Sequence, residues 1–233
     1  MLVPCSNWQN SEEDFAAKTS SSENVPLTRK ALFKSLRYPA LVGDDWVNLP
    51  TSVQIRFVKS FNHRKVIVYQ GRIYQTRLSK IGMILAKLSK FFGAPLPQEN
   101  CVRGSATVIV KEARDFEGQY WTRLYPSSQA FPQVIQSVKR FAGPTGLEEI
   151  ISKRIGIALD VKVKKKTLCF VSNHYFLLFG KKRIVLPRFL SPGKLVVEHR
   201  ETGPKRFRYS FCLHHPVLGE LIYQTAIFEE IEQ

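Results

Sequence analysis

The stretch "KLVVEHRETGPKRFRYSFCL", residues 194–213, alternates cleanly on both sides of a turn-forming "TGP". Leu195, Val197 and His199 share one parity in the first half, and Phe207, Tyr209 and Phe211 share one in the second. Successive side chains of a strand point to opposite faces, so this pattern specifies two antiparallel strands, each with an apolar face and a charged face. With residues 202–204 as a three-residue loop, Glu201 is expected to pair with Lys205 and Glu198 with Arg208. Leu195, Val197 and His199 then stand opposite Phe211, Tyr209 and Phe207. A slip by one residue would turn the charges inward. His199, on the apolar face, reads as a hydrogen-bonded core histidine or as a functional group.

The same grammar repeats outward along the chain. "SATVIVKEAR" and "QYWTRLYP" flank the turn "DFEG", and "RIGIALDVKV" and "TLCFVSNHYFLLF" flank "KKK". "KVIVYQGRIYQTR" precedes these hairpins as a further strand, and "ELIYQTAIFEEI" follows them. Three hairpins plus two strands predict an α+β chain, mainly antiparallel β: a curved sheet or partly closed β-barrel covered by two or three helices. The first helix is placed in the basic "TRKALFKSLR", residues 28–37, and "YPALVGDDWVNLP" is read as a loop. That loop ends at Pro50, suited to open a second helix carrying Val53, Phe57 and Phe61 at helical spacing.

"LSKIGMILAKLSKFFGAPLP", residues 78–97, supplies the third helix. Ile81, Ile84, Leu85, Leu88, Phe91 and Phe92 form one stripe, with Lys80, Lys87 and Lys90 gathered on the other side. The apolar run is too short and too often broken by Lys to cross a bilayer, which takes about 20 apolar residues. The stripe can pack on a core, dock at a membrane surface or serve as a movable lid. For docking, the candidates are Lys80, Lys87, Lys90, Phe91 and Phe92.

The 233 residues are 44% apolar, enough for a sizeable core, and carry a net charge of +16. Residues 1–27 hold one Lys against four acids, so the basic excess lies entirely in the remainder. Those first 27 residues are expected to be a disordered tail before a single β-rich domain, 28–233. The charge implies an anionic partner: a membrane surface, an acidic protein or nucleic acid. Cys5, Cys101, Cys169 and Cys212 lie far apart without a CxxC pair, which disfavours a disulfide framework or zinc site and favours a reducing cytoplasm. Cys169 and Cys212 read as small core residues. No Walker loop or GxGxxG element is present, and no cofactor or metal is expected.

Arg123 is the most pointed of the candidate residues. If Arg114 pairs with Gln119, Trp121, Arg123 and Tyr125 share a face with Val108, Val110 and Glu112. A guanidinium among apolar neighbours needs an anion. That anion is a carboxylate of Glu112, Glu148 or Glu149, or else the head group of a ligand at the mouth of an apolar cavity. The ligand-binding candidates are therefore Trp121, Arg123, Tyr125, Glu112, Glu148, Glu149, Glu198, His199 and Tyr209.

Three functions follow. The first is a non-catalytic module that binds a hydrophobic or lipid-like molecule and touches an anionic membrane surface, in the cytoplasm or at the inner face of the membrane. The second is a catalytic or accessory domain, for which Glu112, Glu148, Glu149, Glu198, His199, His214 and His215 are the acid–base candidates; His214 and His215, adjacent on a strand, point oppositely and make a poor metal site. The third, nucleic-acid binding through "KVKKK", "FGKKR" and "GPKRFRY", is weakened because the aromatics of "FRYSF" alternate away from the arginines.

The order of several motifs resembles the bacterial domain of unknown function 4166 family. These motifs are "LVGDDWVNLPTSVQIRF", "YQGRI", "FFGAPLP", "WTRLY" with Trp121 and Arg123, and "GLEEIISKRIG". Toward the C-terminus come Leu186–Pro187, Pro192, "VVEHRE" with Glu198, and "HPVLGELIYQ" with Pro216, Gly219 and Tyr223. The family typically carries a glycine soon after the position of Tyr223, where this chain has Gln224 and Thr225. The resemblance implies no established activity. Relatives fused to saccharopine-dehydrogenase-like or other oxidoreductase chains imply a separately encoded oxidoreductase as a partner.

Overall fold

The "KKK" turn shows how tightly this chain is wound. Lys165 and Lys166 both adopt positive φ, 47° and 61°, which matches the twist of a two-residue hairpin joining β6 (Ile155–Lys164) to β7 (Thr167–Phe179). The computed structural model describes residues 37–58, 66–91, 96, 104–125, 133–180 and 182–231. The tail 1–27, nearly all of the basic helix, Phe61 and Phe92 lie outside the described residues, as do the side chains of Lys90 and Phe91.

Among the described residues, eleven strands form one antiparallel sheet. The remaining nine are β1 (Val66–Leu78), β2 (Ser105–Glu112), β3 (Gly118–Tyr125), β4 (Gln133–Arg140), β5 (Glu148–Ile150), β8 (Lys182–Val185), β9 (Lys194–Gly203), β10 (Arg206–His215) and β11 (Gly219–Ile231). Their order is β6-β5-β4-β3-β2-β1-β11-β10-β9-β7, and a β6–β7 pairing joins the ends. Ten strands thus close a barrel, while β8 hangs from the far part of β7. Closure removes the unpaired edges that an open sheet would expose. Helices α1 (Arg37–Val42) and α2 (Thr51–Val58) add side chains to the barrel's interior, and α3 (Lys80–Phe91) packs against β11 and β1.

All eight expected strands are present, with β4, β5 and β8 in addition. β4, "QVIQSVKR", escapes the alternation rule because its inward positions include Ser137 and Lys139, and β5 and β8 have only three and four residues. The expected loop at 38–50 is instead α1 followed by a 3-10 turn, Gly43–Asn48, which bury Tyr38 and Trp46 in the main core. Pro50 opens α2 as expected, its carbonyl accepting from the amides of Val53 and Gln54.

Both hairpin registers differ from expectation by two residues. Lys205 adopts φ 57°, so Pro204 and Lys205 form a tighter turn, Glu201 faces Phe207 and His199 faces Tyr209. Glu198 therefore lies opposite Ser210 rather than Arg208, and Glu201 does not pair with Lys205. Likewise Gln119 pairs with Glu112, not Arg114. A shift of two preserves every face, so the inward residues are those expected.

Cys169 is a free, buried core residue. Cys212, also buried, is disulfide-bonded, which corrects its reading as a simple core thiol and removes the argument from cysteine to a reducing compartment. No described helix is long and apolar enough to cross a membrane.

Candidate ligand-binding cavity

Inward side chains of most barrel strands meet α1 and α2 around a cavity of about 60 Å³. A single water needs roughly 10–15 Å³ of such space, so the void takes about four waters or one small chemical group. Its walls are aromatic and aliphatic: Phe57, Val110, Phe170, Phe207 and Phe228 among them. Set into those walls are three cations, Arg56 from α2, Arg123 from β3 and Lys139 from β4.

Two of the cations share one carboxylate. Glu149 accepts from Lys139 Nζ at 2.6 Å, from Ser137 at 2.6 Å and from Arg123 at 3.3 Å. Burial pushes the Glu149 carboxyl up, but Lys139 and Arg123 together outweigh it and hold it down at about 2. Burial lowers the Lys139 ammonium. Its Nζ stands 5.4 Å from the Trp121 ring and 5.1 Å from that of Phe170, so ring faces supply part of the solvation that water would otherwise give.

Arg56 serves the other wall. Its guanidinium donates to His199 Nε2 and to Glu201, both at 2.9 Å, and lies over the Phe207 ring. Because arginine cannot accept, Nε2 must, which leaves the His199 proton on Nδ1 and the ring neutral. Burial first, then the Arg56 charge, holds the His199 pKa well below its usual value. The ring stacks on Phe207 at 4.0 Å and meets the edge of Phe57 at 5.0 Å.

Several residues that line this space carry donors that are incompletely used. Trp121 Nε1, Arg56 Nε and the Tyr38 hydroxyl are buried without a hydrogen-bond partner among the described residues, and all three residues line the cavity. Buried donors left unmade are costly, and three of them on residues that line one void suit an acceptor-bearing group there. With three cations against the carboxylates of Glu149 and Glu201, the surroundings favour an anion.

Trp121, Arg123, Tyr125, His199 and Tyr209 all line the cavity, and Glu149 supplies the anion that Arg123 requires. Tyr125 donates to Gln224, which in turn donates to Thr76, so the residue standing near the family's glycine is part of the barrel's internal network. The other candidates lie elsewhere. Glu112 pairs with Arg37 of α1. Glu148, adjacent to Glu149 and so on the opposite face, is enclosed by Arg140 and Arg183. Glu198 is on the outer face of β9. His215 Nδ1 accepts from the amides of Val217 and Leu218 and closes a turn. The sequence reading missed Arg56 and Lys139; the signal for each was a basic residue at an inward position, beside Val53 and Phe57 in α2 and within the alternation of β4.

A family model described as "Domain of unknown function (DUF4166)" matches residues 49–228. The chain belongs to this family. The DUF4166 match runs from just before α2 to Phe228 in β11, so it takes in every cavity-lining residue but Tyr38. No curated protein and no solved structure matches the chain. The DUF4166 assignment brings no activity with it, and function rests on the chemistry of the cavity.

Proposed function

We propose that the barrel is a non-catalytic binding module whose interior takes a small, partly apolar molecule carrying a carboxylate or similar anionic group. The observation that carries this reading is that Trp121, Arg56 and Tyr38, which line a void walled by aromatic rings, each hold a buried donor unpartnered among the described residues: Trp121 Nε1, Arg56 Nε and the Tyr38 hydroxyl. The free space, about 60 Å³, suits a head group or compact molecule rather than a full acyl chain. That narrows the lipid-like expectation to its polar end.

Native mass spectrometry of the purified full-length chain, followed by denaturation, tests it. A small molecule should be released from the wild type and lost from Trp121→Phe, which keeps a ring but removes the donor. Arg123→Leu should lose it too while remaining folded, since Lys139 and Ser137 still serve Glu149. If nothing is released and a panel of small carboxylates leaves the melting temperature unchanged, the reading fails.

A further inference from the structure

Helix α3 is attached to the barrel the wrong way round for a core helix. Its buried face is made of the smallest residues, Gly82 and Ala86, with Leu85 partly covered. Gly82 sits against the Leu221 carbonyl so closely that no Cβ would fit, and the Ser79 amide donates to the same oxygen at 3.0 Å. The large residues face solvent: Ile81, Ile84 and Leu88 are 43%, 58% and 50% exposed. Lys80 and Lys87 are exposed with them.

Other exposed apolar groups gather at the same end of the barrel. β1 finishes there and β9 and β11 begin there, as the pairs Leu78↔Ile222, His214↔Lys194 and His215↔Gly219 place them. The turn from β10 to β11 presents Val217 at 84% exposure. The 3-10 turn Arg188–Leu190, just before β9, presents Phe189 at 81% and Leu190 at 60%. Gly193 presses against the His214 carbonyl and so ties this second turn to the first. The β7–β8 hairpin, which closes at this end, adds Phe179, Ile184 and Val185, while the exposed Val47, Ile55 and Tyr120 lie on other elements.

The charge of this end is of one sign. Lys80, Lys87, Lys153, Arg154, Lys182 and Arg188 are exposed around it, and the carboxylate among its described residues, Glu220, is bonded to Arg77 at 2.9 Å. We propose that this end docks on an anionic lipid surface, with Ile81, Ile84, Leu88, Phe189, Leu190 and Val217 entering the boundary between head groups and acyl chains. Three separate apolar protrusions interleaved with cations suit a deformable bilayer, in which apolar groups sink while Lys and Arg meet anionic head groups. A second copy of the chain is a poor occupant, because apposing two such ends would bring like charges together.

The test is co-sedimentation of the full-length chain with phosphatidylcholine vesicles and with vesicles containing phosphatidylglycerol. The wild type should bind only the latter. Phe189→Ser combined with Leu190→Ser and Val217→Ser should weaken binding at least about tenfold, as should Lys80→Glu with Lys87→Glu. Both variants alter exposed positions and should melt as the wild type does. Absence of binding to the anionic vesicles overturns the proposal. So does binding that survives the apolar substitutions, or a wild-type dimer in sedimentation velocity that these substitutions abolish. The cavity ligand should be retained by both variants, so failure here and failure of the binding reading are separate results.

Discussion

Glu149 is the residue on which the interior depends. It is buried and is the shared counter-ion of Arg123 and Lys139, so Glu149→Gln would leave two cations in an apolar interior without their anion. Breaking a buried pair in this way costs about 3–5 kcal/mol, which for a chain of this size lowers the melting temperature by roughly 10 °C in a calorimetric scan. Replacing all three by Met should cost less than the single change, since the unpaired charges go with it. His199 gives a second test with a definite sign. Its pKa is held below the usual value in the folded state, so below about pH 6.5 the unfolded chain binds a proton that the folded chain refuses. Stability should therefore fall as pH drops below about 6.5, and His199→Gln should flatten that part of the pH–melting curve. Glu149 acts at lower pH: with its carboxyl held at about 2, its contribution is complete above the ordinary carboxylate range and is lost as pH falls toward 2. Of this chemistry the sequence declared the need of Arg123 for an anion, because a guanidinium between Val108 and Val110 neighbours admits no other solution. It did not declare Lys139, because a lysine in a polar-looking strand is equally at home in water.

Secondary elements were legible to the extent that their faces differ. In β9 and β10 the aromatic parity survived a register error of two residues, since the error came from a turn at Lys205 and faces repeat with period two. α3 exposes the limit of the same reasoning. Its moment separates large from small and charged residues without saying which side meets the barrel, and here the decision falls to Gly82 at a point of backbone contact. Substitutions along α3 should therefore behave oppositely to a core helix. Gly82→Val places atoms against the Leu221 carbonyl and should detach the helix, costing about 2 kcal/mol or more in urea unfolding. Ile84→Ser, at a larger side chain, should change stability by no more than about 0.5 kcal/mol. Equal costs at the two positions would mean that the apolar stripe packs inward.

At the scale of the whole molecule, the barrel is closed by partners far apart in sequence. β1 runs antiparallel to β11, from Val68↔Ile231 to Leu78↔Ile222, while β7 contacts β6 on one side and both β9 and β8 on the other. Ten strands joined in a ring have no free edge at which one could be removed without exposing two others. The curved sheet or partly closed barrel expected from the strand pattern is here a closed one, and the strands that complete the ring between β3 and β6, β4 and β5, lack the apolar alternation that announces a strand. Closure makes a prediction about cooperativity. A chain ending before Gly219 loses β11 and with it Phe228 and Ala226 of the inner cluster, and leaves β1 and β10 with open edges. Such a chain should show no cooperative thermal transition and should aggregate, whereas β8, bonded on one side only, should tolerate a proline at Val185, whose amide points away from β7, with a small loss of stability. Long-range pairings also form late, because loop closure precedes their reward, so refolding from urea should be slow, on the order of seconds or longer. A truncated chain that still melted sharply would mean that β1 to β10 form a self-sufficient unit and that the β11 seam is an addition to the barrel rather than its closure.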